Sequence, residues 1–295
     1  MRRAKVLGAT LVAVSAIVSG RPAHAQTVGA DLGVFSSYVW RGLSLTNKPV
    51  AEPDLYVTFP AGKASVTLGG WFNFDLGKYD DQNNDISESG GLSAFNLAEF
   101  DPWAEVGFPV GKATVTLGAT AYIYPNKLDN QSASFVPTPG LLTTDANTVE
   151  IYGKLAVDAP LSPKISAYYD VDNIKGLYVE GSISHSIPAS EKVSVTLGAL
   201  AGFNAGQGIN DDPNSDESFN FSDNGFTHLD LSAGVPITAG IFSITPALHL
   251  VINGDDFTKI TSPSNTDKDV KLWGGATISW SKSYGAAAEE EESSE

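Results

Sequence analysis

Residues 64–75 read Ala-Ser-Val-Thr-Leu-Gly-Gly-Trp-Phe-Asn-Phe-Asp, with apolar residues or glycine at the even positions and mostly polar or small ones at the odd. A two-residue period marks a β-strand whose faces meet different surroundings, because successive side chains point to opposite sides. The phrase recurs. Gly62-Lys63-Ala64-Ser65-Val66-Thr67-Leu68-Gly69, Gly111-Lys112-Ala113-Thr114-Val115-Thr116-Leu117-Gly118 and Lys192-Val193-Ser194-Val195-Thr196-Leu197-Gly198 are variants of one hairpin arm.

Working outward from these arms, twelve such segments can be placed, at about 28–41, 51–59, 64–75, 102–109, 113–124, 147–158, 164–172, 177–187, 192–203, 226–236, 241–252 and 269–281. The connections at 60–63, 110–112, 159–163, 188–191 and 237–240 are short and built from turn-forming residues. Those at 42–50, 76–101, 125–146, 204–225 and 253–268 are longer and rich in Asp, Asn, Ser and Gly, with a short exception at 173–176. An even number of antiparallel strands, with short turns at one end and mostly long loops at the other, is the plan of a single bacterial outer-membrane β-barrel with periplasmic turns and external loops.

A soluble β-sandwich would also alternate, so the composition of the faces matters. One parity collects Val28/Ala30/Leu32/Val34, Leu55/Val57/Phe59, Val115/Leu117/Ala119/Ala121/Ile123 and Val193/Val195/Leu197/Ala199; the other is small, hydroxylic, aromatic-polar or acidic, with few lysines. A solvated outer sheet face carries more mixed charge than this. The all-β barrel is therefore the expected fold, with lipid on the apolar parity and a lumen on the other.

The rest of the composition agrees with export. Arg2, Arg3 and Lys5 precede an apolar run from Val6 to Val18, and Ala23-His24-Ala25 offers small residues where a signal peptidase reads. That run is shorter than the roughly 20 residues a spanning helix needs. Residues 1–25 are expected to be a cleaved signal peptide, 26–284 the barrel, and 285–295, with Glu289–Glu292, an acidic disordered tail. Loss of Arg2, Arg3, Lys5 and Arg21 with the leader takes the formal net charge from -16 to -20, which argues against nucleic acid as a partner. There is no cysteine, hence no disulfide, thiolate metal site or cysteine nucleophile.

On the lumenal parity lie Asp31, Asp54, Asp75, Glu105, Glu150, Asp158, Asp170, Asp172, Glu180, Asp230 and Asp269, against Arg41, Lys154 and Lys271. An acid-rich wall attracts cations. Catalysis is the competing class. His228-Leu229-Asp230 puts two polar groups on one strand face, about 7 Å apart and not paired; neither Gly-x-Ser-x-Gly nor His-Glu-x-x-His occurs. The acidic stretches 80–88 and 211–217 space oxygen ligands, but Ile86 stands where a calcium loop needs glycine. They read as external loops, and no metal or cofactor is expected. Near the C-terminus, Gly275-x-x-Ile278-x-Trp280 is similar to the glycine-then-apolar signal that barrel-assembly machinery reads, although the chain continues past it to Tyr284 and the tail.

The stretch Leu32-Gly33-Val34-Phe35-Ser36-Ser37-Tyr38-Val39-Trp40-Arg41-Gly42-Leu43-Ser44-Leu45-Thr46 resembles the first hairpin of the TorF-type porin family, in which Ser-x-Tyr-x-aromatic-Arg-Gly-Ile/Leu-Ser precedes a loop containing Pro-Ala. Pro49-Val50-Ala51-Glu52 departs from the commoner Pro-Ala-x-Gln. The resemblance implies an outer-membrane barrel and names no solute.

The first strand is expected to run to Arg41, so that Tyr38 and Trp40 share the lipid-facing parity of Val34 and belong to the aromatic girdle at the membrane interface. Arg41 then points to the lumen mouth, pairs with nearby carboxylates and narrows the entrance, while Gly42 releases the chain into the first loop. The expected function is an outer-membrane porin-like channel for passive diffusion of small polar solutes, preferring cations. Its partners would be the lipid bilayer, lipopolysaccharide and the outer-membrane assembly machinery. The alternatives are a barrel with a filled lumen and a structural or binding role, an outer-membrane hydrolase, and a soluble extracellular β-sheet protein.

Overall fold

The structure, a computed structural model, describes residues 26–46, 48–76, 95–125, 147–172, 174–207, 221, 224–254 and 270–285. The expected signal peptide (1–25), all but the first residue of the expected tail (285–295), the acidic stretches 80–88 and 211–217, and Asp269 lie outside these residues. The described chain forms β1 (Gln26–Phe35), β2 (Tyr38–Trp40), β3 (Leu43–Thr46), β4 (Val50–Ala61), β5 (Ala64–Asp75), β6 (Asn96–Val110), β7 (Ala113–Tyr122), β8 (Thr148–Val157), β9 (Lys164–Asp170), β10 (Gly176–Pro188), β11 (Ser194–Ala205), β12 (Gly225–Gly234), β13 (Ile237–Ala239), β14 (Phe242–Asn253) and β15 (Val270–Tyr284).

Twelve of these strands close into one antiparallel barrel. Each long strand pairs with its neighbours in sequence, β12 joins β14 across the turn that holds the short β13, and β1 pairs with both β4 and β15. The closing seam runs from Gln26↔Tyr284 to Phe35↔Gly275. Closure leaves the barrel no unpaired edge. At the short-turn end, Gly62, Gly111 and Gly240 each stand first in a two-residue hairpin with φ between 62° and 66°, the conformation a type II′ turn requires there.

The apolar parity faces outward: Leu55, Leu117, Ile151, Leu197, Leu248 and Leu272 are all exposed. So wide an apolar surface suits hydrocarbon rather than water. On the inner face, glycines make room for aromatic rings on the neighbouring strand. Gly29 pairs with Tyr56, Gly69 with Trp103 and Gly118 with Tyr152, and a Cβ on any of these glycines would fall 2.1–2.4 Å from the partner ring. The rings therefore lie flat across the wall.

Two expectations about the strands are corrected. β6 starts at Asn96 instead of about 102, which moves Glu99 and Asp101 from a supposed loop onto the wall. More consequentially, β1 stops at Phe35, and not near Arg41. The chain bends at Ser36–Ser37, and residues 38–46, taken as strand end and loop, form a separate two-stranded hairpin, β2–β3.

Candidate functional site

The β2–β3 hairpin has aromatic and aliphatic residues on its arms and a tip of Arg41-Gly42. Trp40 pairs with Leu43, and φ is +50° at Arg41 and +83° at Gly42, the pair of positive values that a type I′ turn demands. Gly42 also presses on β12: an added Cβ would lie 2.6 Å from Cγ of His228. A side chain at this position would meet both a strained backbone and a ring.

The hairpin's contacts locate it. Tyr38 packs on Trp71 of β5 and hydrogen-bonds Glu99 of β6. Trp40 meets Tyr122 of β7 edge-on, and Arg41 reaches Glu150 of β8, Tyr168 of β9 and Tyr178 of β10. Gly42 meets His228 of β12, and Ser37 and Ser44 accept hydrogen bonds from Lys271 of β15. One short hairpin can touch eight strands of a closed ring only from inside it. Tyr38 and Trp40 are therefore not interface aromatics: the bend at Ser36–Ser37 breaks the parity that would have carried them outward, and both rings pack within the lumen. Phe221 joins them from the chain preceding β12, parallel to Tyr178 with ring centroids 5.9 Å apart and stacked on Trp40 at 6.5 Å. Leu43, Tyr178 and Phe221 form a small apolar core at this level.

At the tip, the Arg41 guanidinium makes a two-pronged ion pair with Glu150, Nη1 to Oε1 at 2.8 Å and Nη2 to Oε2 at 2.7 Å. Both side chains are buried, at 6% and 2% exposure. Arg41 Nη1 also donates to Gln207 Oε1 at 2.6 Å, Gln207 Nε2 donates back to Glu150 Oε1, and Tyr122 Oη donates to Glu150 Oε2 at 2.8 Å. Arg41 Cζ lies 4.3 Å, 4.6 Å and 4.4 Å from the ring centroids of Trp40, Tyr168 and Tyr178, close enough for cation–π attraction. Burial alone would lower the guanidinium's affinity for its proton, but the Glu150 carboxylate more than offsets it and holds the pKa above its ordinary value.

The remaining sequence-selected residues are spread around the inner wall, each with its own partner. Asp54 accepts from Trp103 Nε1 at 3.1 Å. Glu105 accepts from Tyr152 Oη at 3.0 Å and pairs with Lys154 at 3.1 Å, and Glu180 accepts from Tyr168 Oη at 3.1 Å. Asp75 is buried. Asp170 accepts from Thr148 Oγ1 and from the backbone N–H groups of Asp172, Ile174 and Lys175, so it ties down the short turn after β9. Asp230 meets His249 Nδ1 at 3.0 Å, whereas His228 Nδ1 lies 3.0 Å from Thr227 Oγ1. The two members of the His228–Asp230 pair thus turn to different neighbours.

Sequence reading overlooked Glu52, Glu99, Asp101 and Gln207. Glu52 lay on the correct parity, two residues before Asp54; Glu99 and Asp101 were hidden by the late start given to β6. Gln207 follows β11 and had no periodic signal. Among the described residues no cluster of His, Asp and Glu has the arrangement of a metal site.

The structure is similar to the COG4313 outer membrane channel from Pseudomonas putida F1, with 6% identity, 88% of this chain and 94% of that chain covered, and a TM-score of 0.48. It is also similar to LpxR from Salmonella typhimurium, with 8% identity, 86% and 99% covered, and a TM-score of 0.44. For the outer membrane phospholipase A from Escherichia coli the values are 10% identity, 90% and 96% covered, and a TM-score of 0.38. No curated protein matches the sequence. Residues 19–219 match the family model described as a bacterial protein of unknown function, Gcw_chp, and the chain belongs to that family.

Proposed function

We propose that the protein is an outer-membrane channel for passive diffusion of small polar solutes, with a preference for cations and a constriction formed by the β2–β3 hairpin. The observation that carries this reading is the composition of the inner wall. Asp31, Asp54, Glu180 and Asp230 share it with few bases, and the Arg41 and Lys154 charges are already matched by Glu150 and Glu105. Aromatic donors hold Asp54 and Glu180 in place without neutralising them. Fixed negative charge in a narrow, low-dielectric passage concentrates cations and excludes anions.

The polar, hydroxyl-lined inner face and the apolar exterior support placement in a Gram-negative outer membrane, as do the leader-like residues 1–25 and the resemblance of residues 32–46 to TorF-type porins. Lipid, lipopolysaccharide and the assembly machinery that reads the last strand are the partners this placement implies. A second reading, a non-conducting barrel with a structural or binding role, is favoured by one observation: the hairpin fills the lumen at the level of Arg41.

Reversal potentials across a planar bilayer under a potassium chloride gradient test the proposal. The expected sign is that of cation permeation. Anion selectivity defeats the charge argument, and insertion without conductance favours the filled barrel.

A further inference from the structure

The contacts of Arg41 divide into two halves that the fold keeps apart. One half is the guanidinium, carried on a hairpin that shares no ladder with the barrel: β2 and β3 form their own two-stranded sheet of three and four residues. A hairpin that short has little stability of its own. The other half is a pocket wall on continuous barrel strands: Tyr122 on β7, Glu150 on β8, Tyr168 on β9 and Tyr178 on β10, with Gln207 just beyond β11. These strands pair with one another along their lengths. Lifting the hairpin would leave this wall intact.

The wall has the chemistry of a receptor for one cation type. A carboxylate presents both oxygens to two N–H groups in one plane, an amide oxygen takes a further N–H bond, and two tyrosine rings lie within 4.6 Å of the central carbon. A planar guanidinium satisfies all three features together; an ammonium has neither the fork nor the flat face. A buried ion pair adds little to stability over a well-packed apolar filling. A plug needing only to stay in place had no need of one, whereas a plug that must be released by a charged solute does.

We propose that Glu150, Gln207, Tyr122, Tyr168 and Tyr178 form a binding site for guanidinium-bearing solutes, which Arg41 occupies as a tethered stand-in and which an entering solute takes over as the hairpin withdraws. This rests on the channel reading for its physiological role and deepens it by naming a solute class. The binding itself does not depend on conduction.

The test has two arms. In the first, methylguanidinium and methylammonium are titrated at millimolar concentration and constant ionic strength into the detergent-solubilised protein, with tryptophan fluorescence reporting Trp40 beside the site. Arg41→Ala is expected to bind methylguanidinium at a concentration about tenfold lower than methylammonium, and Glu150→Gln on that background to abolish the difference. Arg41→Lys, which keeps the charge without the fork, serves in place of Arg41→Ala should the latter not fold, and is expected to show the same order. In the second arm, arginine and lysine are compared as additives to the wild-type channel in potassium chloride; arginine is expected to raise conductance and lysine to leave it unchanged. Equal binding of the two cations overturns the site. Preference in the variants with a wild-type channel indifferent to arginine overturns the takeover by solute. A protein that conducts no potassium under any condition defeats the channel reading while leaving the first arm to decide the site.

Discussion

One inner wall carries two environments, and the difference lies along the strands rather than across them. Near the short turns, the inward side chains are hydroxyls that pair with each other: Thr27 with Ser283 at 2.9 Å, Thr58 with Thr67 at 3.0 Å and Thr196 with Ser186 at 3.2 Å. Ten residues or fewer along the same strands, on the same parity, Asn73, Asp75, Tyr178 and Asn204 are fully buried. Alternation decides whether a residue faces lipid or lumen. Whether the lumen at that level is open or filled is decided by the hairpin.

That contrast can be broken by substitution, and the effects should fall in a definite order. The largest belongs to Glu150→Ala, which strands the Arg41 guanidinium in a buried site; a loss of about 3–5 kcal/mol is expected, as for other buried pairs deprived of one partner. Reversible urea unfolding of the protein in lipid vesicles measures it, and a loss no greater than that at an exposed site would mean the tip is not buried in the membrane-embedded protein. Next comes Gly42→Ala. The left-handed backbone and the nearby His228 ring should together cost about 1–3 kcal/mol, with a rise in single-channel conductance as the tip lifts. The smallest effect is expected in the half-exposed pair Lys154–Glu105: Lys154→Ala should change stability by no more than about 1 kcal/mol while shifting the reversal potential further toward cations. An anionic shift there would contradict the role given to wall charge.

The barrel was readable because it rests on a period that any stretch of ten residues displays. β5, β7 and β11 repeat nearly the same phrase, and the short turns at Gly62 and Gly111 announce themselves by composition. The plug was not readable in the same way, since Tyr38 and Trp40 stand an even number of residues from Val34 and so continue its pattern. The signal that distinguishes them is non-periodic: Ser36-Ser37 before the aromatics, then Arg41-Gly42 flanked by Tyr-Val-Trp and Leu-Ser-Leu, which is a hairpin in miniature with an unusual turn pair. Arg41 and Glu150 were both identifiable as lumenal residues. That they would meet was not, because their 109-residue separation is bridged only by the curvature of the closed sheet.

The position of Lys271 ties the hairpin to the history of the chain. Lys271 lies 234 residues after Ser37, on the last strand to be made, and it bonds both Ser37 and Ser44 at the root of a hairpin that emerges among the first. The same strand zips against β1 to seal the cylinder. Early in folding, then, the hairpin has neither its socket on β7 to β10 nor its anchor on β15. The strand that seals the wall therefore also anchors the root of the plug, which couples the two through Lys271.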